Sequence, residues 1–133
     1  MSKNYRDITK SISASLATLR TDAPDVMKAF SMLAQAASND GALDKKTKEL
    51  IALALGIAAH CDGCIGFHVQ ALIKLGVSRA EFEEMLGMTV YMGGGPSLMY
   101  AADALTAFEK MSTPMATVSR DAENCPSLMR IYF

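Results

Sequence analysis

The chain is short of several things, and each shortage removes a class of protein. Valine numbers five and isoleucine seven, against 20 alanines, 13 leucines and 10 methionines. Strands draw on β-branched residues and helices on Ala, Leu and Met, so the expected fold class is all-α. Neither charge sign is in excess: Lys plus Arg is 13, Asp plus Glu is 14, and the formal net charge is -1. That leaves no basic field for nucleic acid and no acidic tail. The longest apolar run, residues 50–59, is ten residues, whereas a membrane span needs about 20. The opening MSKNYRDITK has no apolar stretch followed by a small-residue cleavage site, so no secretory signal is expected. These absences predict a soluble, cytoplasmic protein with no nucleic-acid or membrane partner. Cysteine is scarce too: there are three, and two form a Cys-x-x-Cys. Without an export signal, that pattern predicts redox chemistry or metal binding rather than a disulfide framework.

What is present fits one folded domain. Hydrophobic residues are 50% and charged residues 20%, below the roughly 25% of ordinary domains. Disorder is excluded, and the apolar lean predicts a surface covered by another subunit. The 133 residues suffice for one core, so a single domain is expected over 1–133, with its core at about 24–111 and a tail at 112–133.

The punctuation is helical. Ile8, Ile12, Leu16 and Leu19 mark an amphipathic first helix. Asp22-Ala23-Pro24 ends it and starts a second, with Val26, Phe30, Leu33, Ala34 and Ala37 as its buried stripe. Asn39-Asp40-Gly41 is a turn. Asp44 is the expected N-cap of a third, central and buried helix reaching Ala59. A fourth runs from Asp62 to Leu75 and stops at Gly76. Ser78-Arg79-Ala80-Glu81 is a capping box for a fifth, with Phe82, Leu86, Thr89 and Gly93 on one face. Gly93-Gly94-Gly95-Pro96 then breaks the chain, and Leu98, Ala101, Leu105 and Phe108 mark a sixth. The tail holds the third cysteine, Cys125, and ends in the apolar Ile131-Tyr132-Phe133. Tyr91 and Tyr100 read as packing residues near the break. Lys45, Lys46 and Lys48 read as a solvated helix start.

The chemistry concentrates in residues 49–68, ELIALALGIAAHCDGCIGFH. Both histidines and two of the three cysteines fall within positions 60–68. On a helix, Cys61, Cys64 and His68 stand at i, i+3 and i+7 and share one face. A Cys-x-x-Cys at a helix start can close into a disulfide. The helix N-terminus and a neighbouring imidazole both favour thiolate, the form that attacks a peroxide or a disulfide. A second cysteine one turn away resolves a sulfenic acid before overoxidation. A carboxylate that orients the imidazole completes an acid–base relay. Glu49 is the candidate. Its offset from Cys61 is about 18 Å along a straight helix, so the relay requires a bend near residues 60–63.

The run KTKELIALALGIAAHCDGCIGFHVQALIKLGVSRAEFEEML resembles the carboxymuconolactone decarboxylase superfamily. Its Cys-x-x-Cys-x-x-x-His with an upstream Glu looks like the AhpD-like alkylhydroperoxidase branch, and the later GGGPSLMYAADALTAFEK fits that family's Gly/Pro break and Ala-rich helix. The resemblance implies an all-α bundle of about six helices, assembled as a homo-oligomer, trimer or hexamer. It implies a thiol-dependent peroxidase in which Cys64 is peroxidatic, Cys61 resolves, and His68 with Glu49 forms the proton relay. A dithiol or thiol-protein reductant resets the pair, and no organic cofactor or metal is required. One position departs: Gly63 stands where AhpD carries a further His, and His60 is the candidate replacement. Two other readings share the cluster. One is a dithiol–disulfide oxidoreductase or redox sensor. The other is a metal-binding module using Cys61, Cys64 and His68, with Glu49 or His60 as a fourth ligand.

Overall fold

Local signals set the helix ends. Asn4 caps the first helix by accepting from the N–H groups of Arg6 and Asp7, and Asp44 caps the third by accepting from Thr47 N–H at 2.7 Å. Ser78 and Glu81 close a capping box at the start of the last, which answers backbone donors that have no partner inside a helix. The structure is a computed structural model and describes residues 2–114. Its elements are α1 (Tyr5–Asp22), α2 (Pro24–Ser38), α3 (Lys45–Ala58), α4 (Asp62–Lys74) and α5 (Arg79–Ser112), with no strand among the described residues. None of these helices is long and apolar enough to cross a membrane. The tail beyond Pro114, with Cys125, lies outside the described residues.

Among the described residues the helical elements number five rather than six, because the expected fifth and sixth helices join across a kink. Residues 79–112 form one helical element, interrupted only at Gly94, whose φ of 74° and ψ of -160° are non-helical. That conformation suits a residue without Cβ. The chain therefore kinks inside the Gly-rich stretch instead of opening into a loop. Pro96 lies just after the kink, in the first turn of the new arm, where its missing N–H leaves no hydrogen bond unmade.

α4 sits at the centre, packed by α1, α3 and α5. Its Ile65, Val69 and Leu72 are fully buried together with Leu53 and Ile57 of α3 and Phe82 of α5. Each such side chain contributes roughly 1.5–3 kcal/mol by leaving water. Close approach of α1 to α4 depends on Gly66: a Cβ there would run into the Thr9 side chain and lie 3.5 Å from Tyr5 Cδ1. This seats the start of α1 against the start of α4.

Two burial expectations are corrected. Within the chain, α2 does not bury its stripe: Val26, Phe30 and Leu33 are exposed, and only Met27 is buried. α3 is buried on one side only, since Ile51 and Leu55 face outward. The apolar periodicity is present in both helices, but burial within the described chain is incomplete on those faces. α3 and α5 leave an apolar groove of about 420 Å³ between them, lined by residues that include Ile51, Leu55, Met88 and Met92.

Candidate redox site

The site begins with the turn between α3 and α4. Ala59 is the C-cap of α3. His60 follows with φ 56°, and its N–H donates to Ile57 O at 3.0 Å while Cys61 N–H donates to Gly56 O at 3.0 Å. This is a Schellman ending, which satisfies the last carbonyls of α3 and reverses the chain. The bend that the relay requires therefore exists, and α4 returns along α3. Gly56 lets the two helices touch, because a Cβ there would lie 3.0 Å from Cys64 Cβ.

Cys61 is the N-cap of α4, and its Sγ accepts from Cys64 N–H at 3.2 Å. The two cysteines form a disulfide, with Cα atoms 5.3 Å apart, a usual separation for the bond. Both are half-buried. Once reduced, Cys64 stands in the first turn of α4, where free N–H groups and the helix dipole stabilise a thiolate.

His68 follows Cys64 by one turn on α4 and so shares its face. Its Nδ1 lies 2.6 Å from Glu49 Oε2. Glu49 is only 2% exposed, so this carboxylate is committed to the histidine rather than to water. A carboxylate accepts from Nδ1–H, which fixes the ring tautomer and leaves Nε2 to take or give a proton. A pocket of about 230 Å³ lies over the pair. Phe30, Ala34, Ala37 and Ser38 of α2 form one wall, and Lys48 and Ala52 of α3 complete it with Glu49 and His68. The walls are mainly apolar, and the polar groups converge at Glu49 and His68.

Of the five candidate residues, the structure joins Glu49 to His68 and Cys61 to Cys64. His60 is elsewhere: its ring stacks on Tyr100, with centroids 4.6 Å apart and planes at 9°. Gly63 has a steric reason, since a Cβ there would fall 2.7 Å from Ile12 Cδ1. Any side chain at this position requires Ile12 to move. Among the described residues, no group of three or more His, Cys, Asp or Glu is arranged to hold a metal ion. Four residues beside the cysteines escaped the sequence reading: Lys3, Tyr5 and Asp103, which meet around Asp62, and Tyr100, read only as packing. Nothing in their spacing signals this, because three of them come from the chain start and α5.

Comparisons with known proteins identify the family of the chain. Residues 24–107 match the carboxymuconolactone decarboxylase family model, and the chain belongs to that family. A crystal structure of an apo carboxymuconolactone decarboxylase family protein from Legionella pneumophila superposes with a TM-score of 0.81 at 62% identity, covering 82% of this chain and 97% of that one. An uncharacterized protein of Cupriavidus necator is 39% identical over 89 residues, 67% of this chain and 79% of its own length. An uncharacterized protein of Haemophilus influenzae is 32% identical over 108 residues, 81% of this chain and 96% of its own.

Proposed function

We propose that this family member is a cytoplasmic, AhpD-like thiol-dependent hydroperoxide reductase. The observation that carries the reading is one line of groups on α3 and α4. A Cys-x-x-Cys disulfide sits at the start of α4, and one turn further on is a histidine held at 2.6 Å by a buried glutamate. In the reduced protein, Cys64 thiolate attacks the peroxide oxygen and the O–O bond breaks. Cys64 becomes a sulfenic acid, and the alkoxide leaves as alcohol with a proton from His68. Cys61 thiol then condenses with the sulfenic acid, forming the disulfide and releasing water. A dithiol donor reduces the disulfide and is itself oxidised. Positioned proton transfer of this kind contributes roughly 10²–10⁴-fold in rate. The apolar pocket walls favour an organic hydroperoxide over hydrogen peroxide.

The same proposal includes assembly with further copies of this chain. Ile51, Leu55, Met88 and Met92 give α3 and α5 one continuous apolar face, of a kind that soluble monomers seldom leave open. The family resemblance implies a trimer or hexamer. Sedimentation of wild type against Leu55→Lys tests it, with dissociation of the variant as the expected result.

The decisive experiment is intact mass with thiol counting, before and after one equivalent of an organic hydroperoxide, on reduced wild type and Cys61→Ser. Wild type is expected to lose two thiols and two mass units, and Cys61→Ser to gain one oxygen on Cys64. No change in either protein within minutes would sink the peroxidase. The second reading, a dithiol–disulfide oxidoreductase, is favoured by Gly63 in place of the additional relay histidine. It requires wild type to exchange with a small disulfide faster than it reacts with peroxide.

A further inference from the structure

Cys61 is held by its two sequence neighbours in a way the relay does not use. Among the described residues, two Schellman turns are built on the same hydrogen bonds. At the end of α4, Gly76 takes the left-handed position with φ 74°, its N–H donating to Ile73 O and Val77 N–H to Leu72 O. At the end of α3 the same position is His60, a residue with a Cβ that disfavours this backbone. Its ring is held against Tyr100 of α5. Such a residue persists where the surroundings over-determine it, and these places are often functional.

On the other side of Cys61 is Asp62. Its Oδ1 accepts from Lys3 Nζ at 2.8 Å and from the Tyr5 hydroxyl at 3.0 Å. Lys3 Nζ also donates to Asp103 Oδ2 at 2.8 Å and lies 4.5 Å from the centre of the Tyr100 ring. The start of the chain is thus fastened across α4 to α5, directly over the cysteine turn. Hydrogen bonds to Asp103 and then Asp62 push the Lys3 ammonium above the ordinary lysine range. Burial, followed by the bond to Asp62, pushes Tyr5 up. Lys3 therefore stays charged, and Tyr5 stays a phenol that donates.

The charge balance at the cysteines follows. Asp62 is adjacent to Cys61 and two residues before Cys64, so its negative charge opposes thiolate at both. A positive charge bonded to that carboxylate, though shared with Asp103, offsets part of the opposition. The titratable groups around the pair are Lys3 and Tyr5 from the chain start and α1, Glu49 from α3, and His60 from the turn. Asp62 and His68 come from α4, and Tyr100 and Asp103 from α5. Of these, Lys3 is the one ammonium, and its bonds to Asp103 and Asp62 keep it charged.

We infer that Lys3 is a positioning residue: by holding Asp62 beside the cysteine pair and offsetting its charge, it raises the share of thiolate in the reduced protein. The inference deepens the proposed function and rests on its redox assignment of the pair.

The test uses the full chain, reduced, with the rate of iodoacetamide alkylation followed against pH. Lys3→Met is expected to raise the thiol pKa by roughly half to one, which slows alkylation at pH 7 about three- to tenfold. Lys3→Arg is expected to restore most of the rate. Asp62→Asn is expected to lower the thiol pKa. A merely structural tether would weaken the fold in Lys3→Met and Asp62→Asn alike, and has no reason to move the thiol in opposite directions. The inference is overturned if both variants shift the pKa the same way, or if Lys3→Met leaves it unchanged while its helical circular dichroism is that of wild type. Should Lys3→Met fail to fold, Asp62→Asn decides alone, and a thiol pKa that does not fall overturns the inference. Failure of the redox assignment looks different. There the pKa values shift as stated, but reduced wild type is not oxidised by hydroperoxide.

Discussion

Helix α4 and helix α2 draw on the same apolar residue types. Yet Ile65, Val69 and Leu72 of α4 are sealed from solvent, while Val26 and Leu33 of α2 are 68% and 64% exposed. The difference lies in the number of neighbours. α4 is packed on three sides by α1, α3 and α5, whereas among the described residues α2 packs chiefly against α1 and α3, and lightly. An apolar stripe records that a surface is to be covered; the number of helices laid against it decides whether the chain covers it itself. The division has a functional sense. The cysteine pair and His68 ride on the packed helix, where rotamers are held by their neighbours. One wall of the pocket over Glu49 and His68 comes from the lightly packed helix α2.

The largest effect that separates the two regions is on stability. Leu72→Ala removes a side chain with no exposure and is expected to cost about 2–5 kcal/mol, because the cavity closes only in part. Leu33→Ala is expected to stay within about 0.5 kcal/mol, as for other exposed sites. Urea unfolding at dilute protein concentration measures both. Equal costs would mean that the α2 face is covered after all, and a cost for Leu33→Ala that grows with protein concentration would identify the cover as another copy of the chain.

Next in size is Glu49→Gln, which keeps the shape of a buried residue but replaces the acceptor of His68 Nδ1. The rate of peroxide reaction with reduced protein is expected to fall roughly 10- to 100-fold, equivalent to about 1.4–2.7 kcal/mol. Disulfide formation by a strong thiol oxidant should survive, since the cysteines keep their positions. Stopped-flow peroxide consumption checks this, and an unchanged rate would remove Glu49 from the relay and leave it a buried partner of His68.

Much of this was legible in the residues. Asp44, Ser78, Glu81 and Gly76 announce helix ends because capping is local chemistry, settled by groups within four residues of one another. The Glu49–His68 pairing is separated by 19 residues, yet it follows once a bend at residues 60–63 is granted, because α4 then returns along α3. Three things were not legible. The fate of the α2 stripe depends on cover that periodicity does not encode. The kink at Gly94 without a loop depends on a backbone conformation that three consecutive glycines permit but do not dictate. The Lys3, Asp62 and Asp103 cluster joins residues up to 100 positions apart, and the charges involved look like any solvated surface until α1 is laid across α4.

The smallest effect belongs to the rim. Lys46 Nζ lies 2.7 Å from Glu81 Oε1 and ties the first turn of α3 to the first turn of α5. Both side chains are about one-third or more exposed, at 32% and 40%, so solvent and salt screen the pair heavily. Lys46→Ala is therefore expected to lower Tm by no more than about 2 °C. The pH window gives the change its signature. The bond to Lys46, and then the Ser78 N–H, hold the Glu81 carboxyl below its ordinary 4.5. Glu81 holds the Lys46 ammonium above its ordinary 10.5. A lowered carboxyl stabilises the fold above its ordinary value and loses that effect as pH falls through the lowered one; a raised amine does the reverse on the alkaline side. The gap in Tm between wild type and Lys46→Ala should thus be full from about pH 4.5 to 10.5, close on either side, and shrink in 1 M salt. A gap that persists in acid and in salt would show that the Lys46 stem, rather than its charge, is what α5 feels.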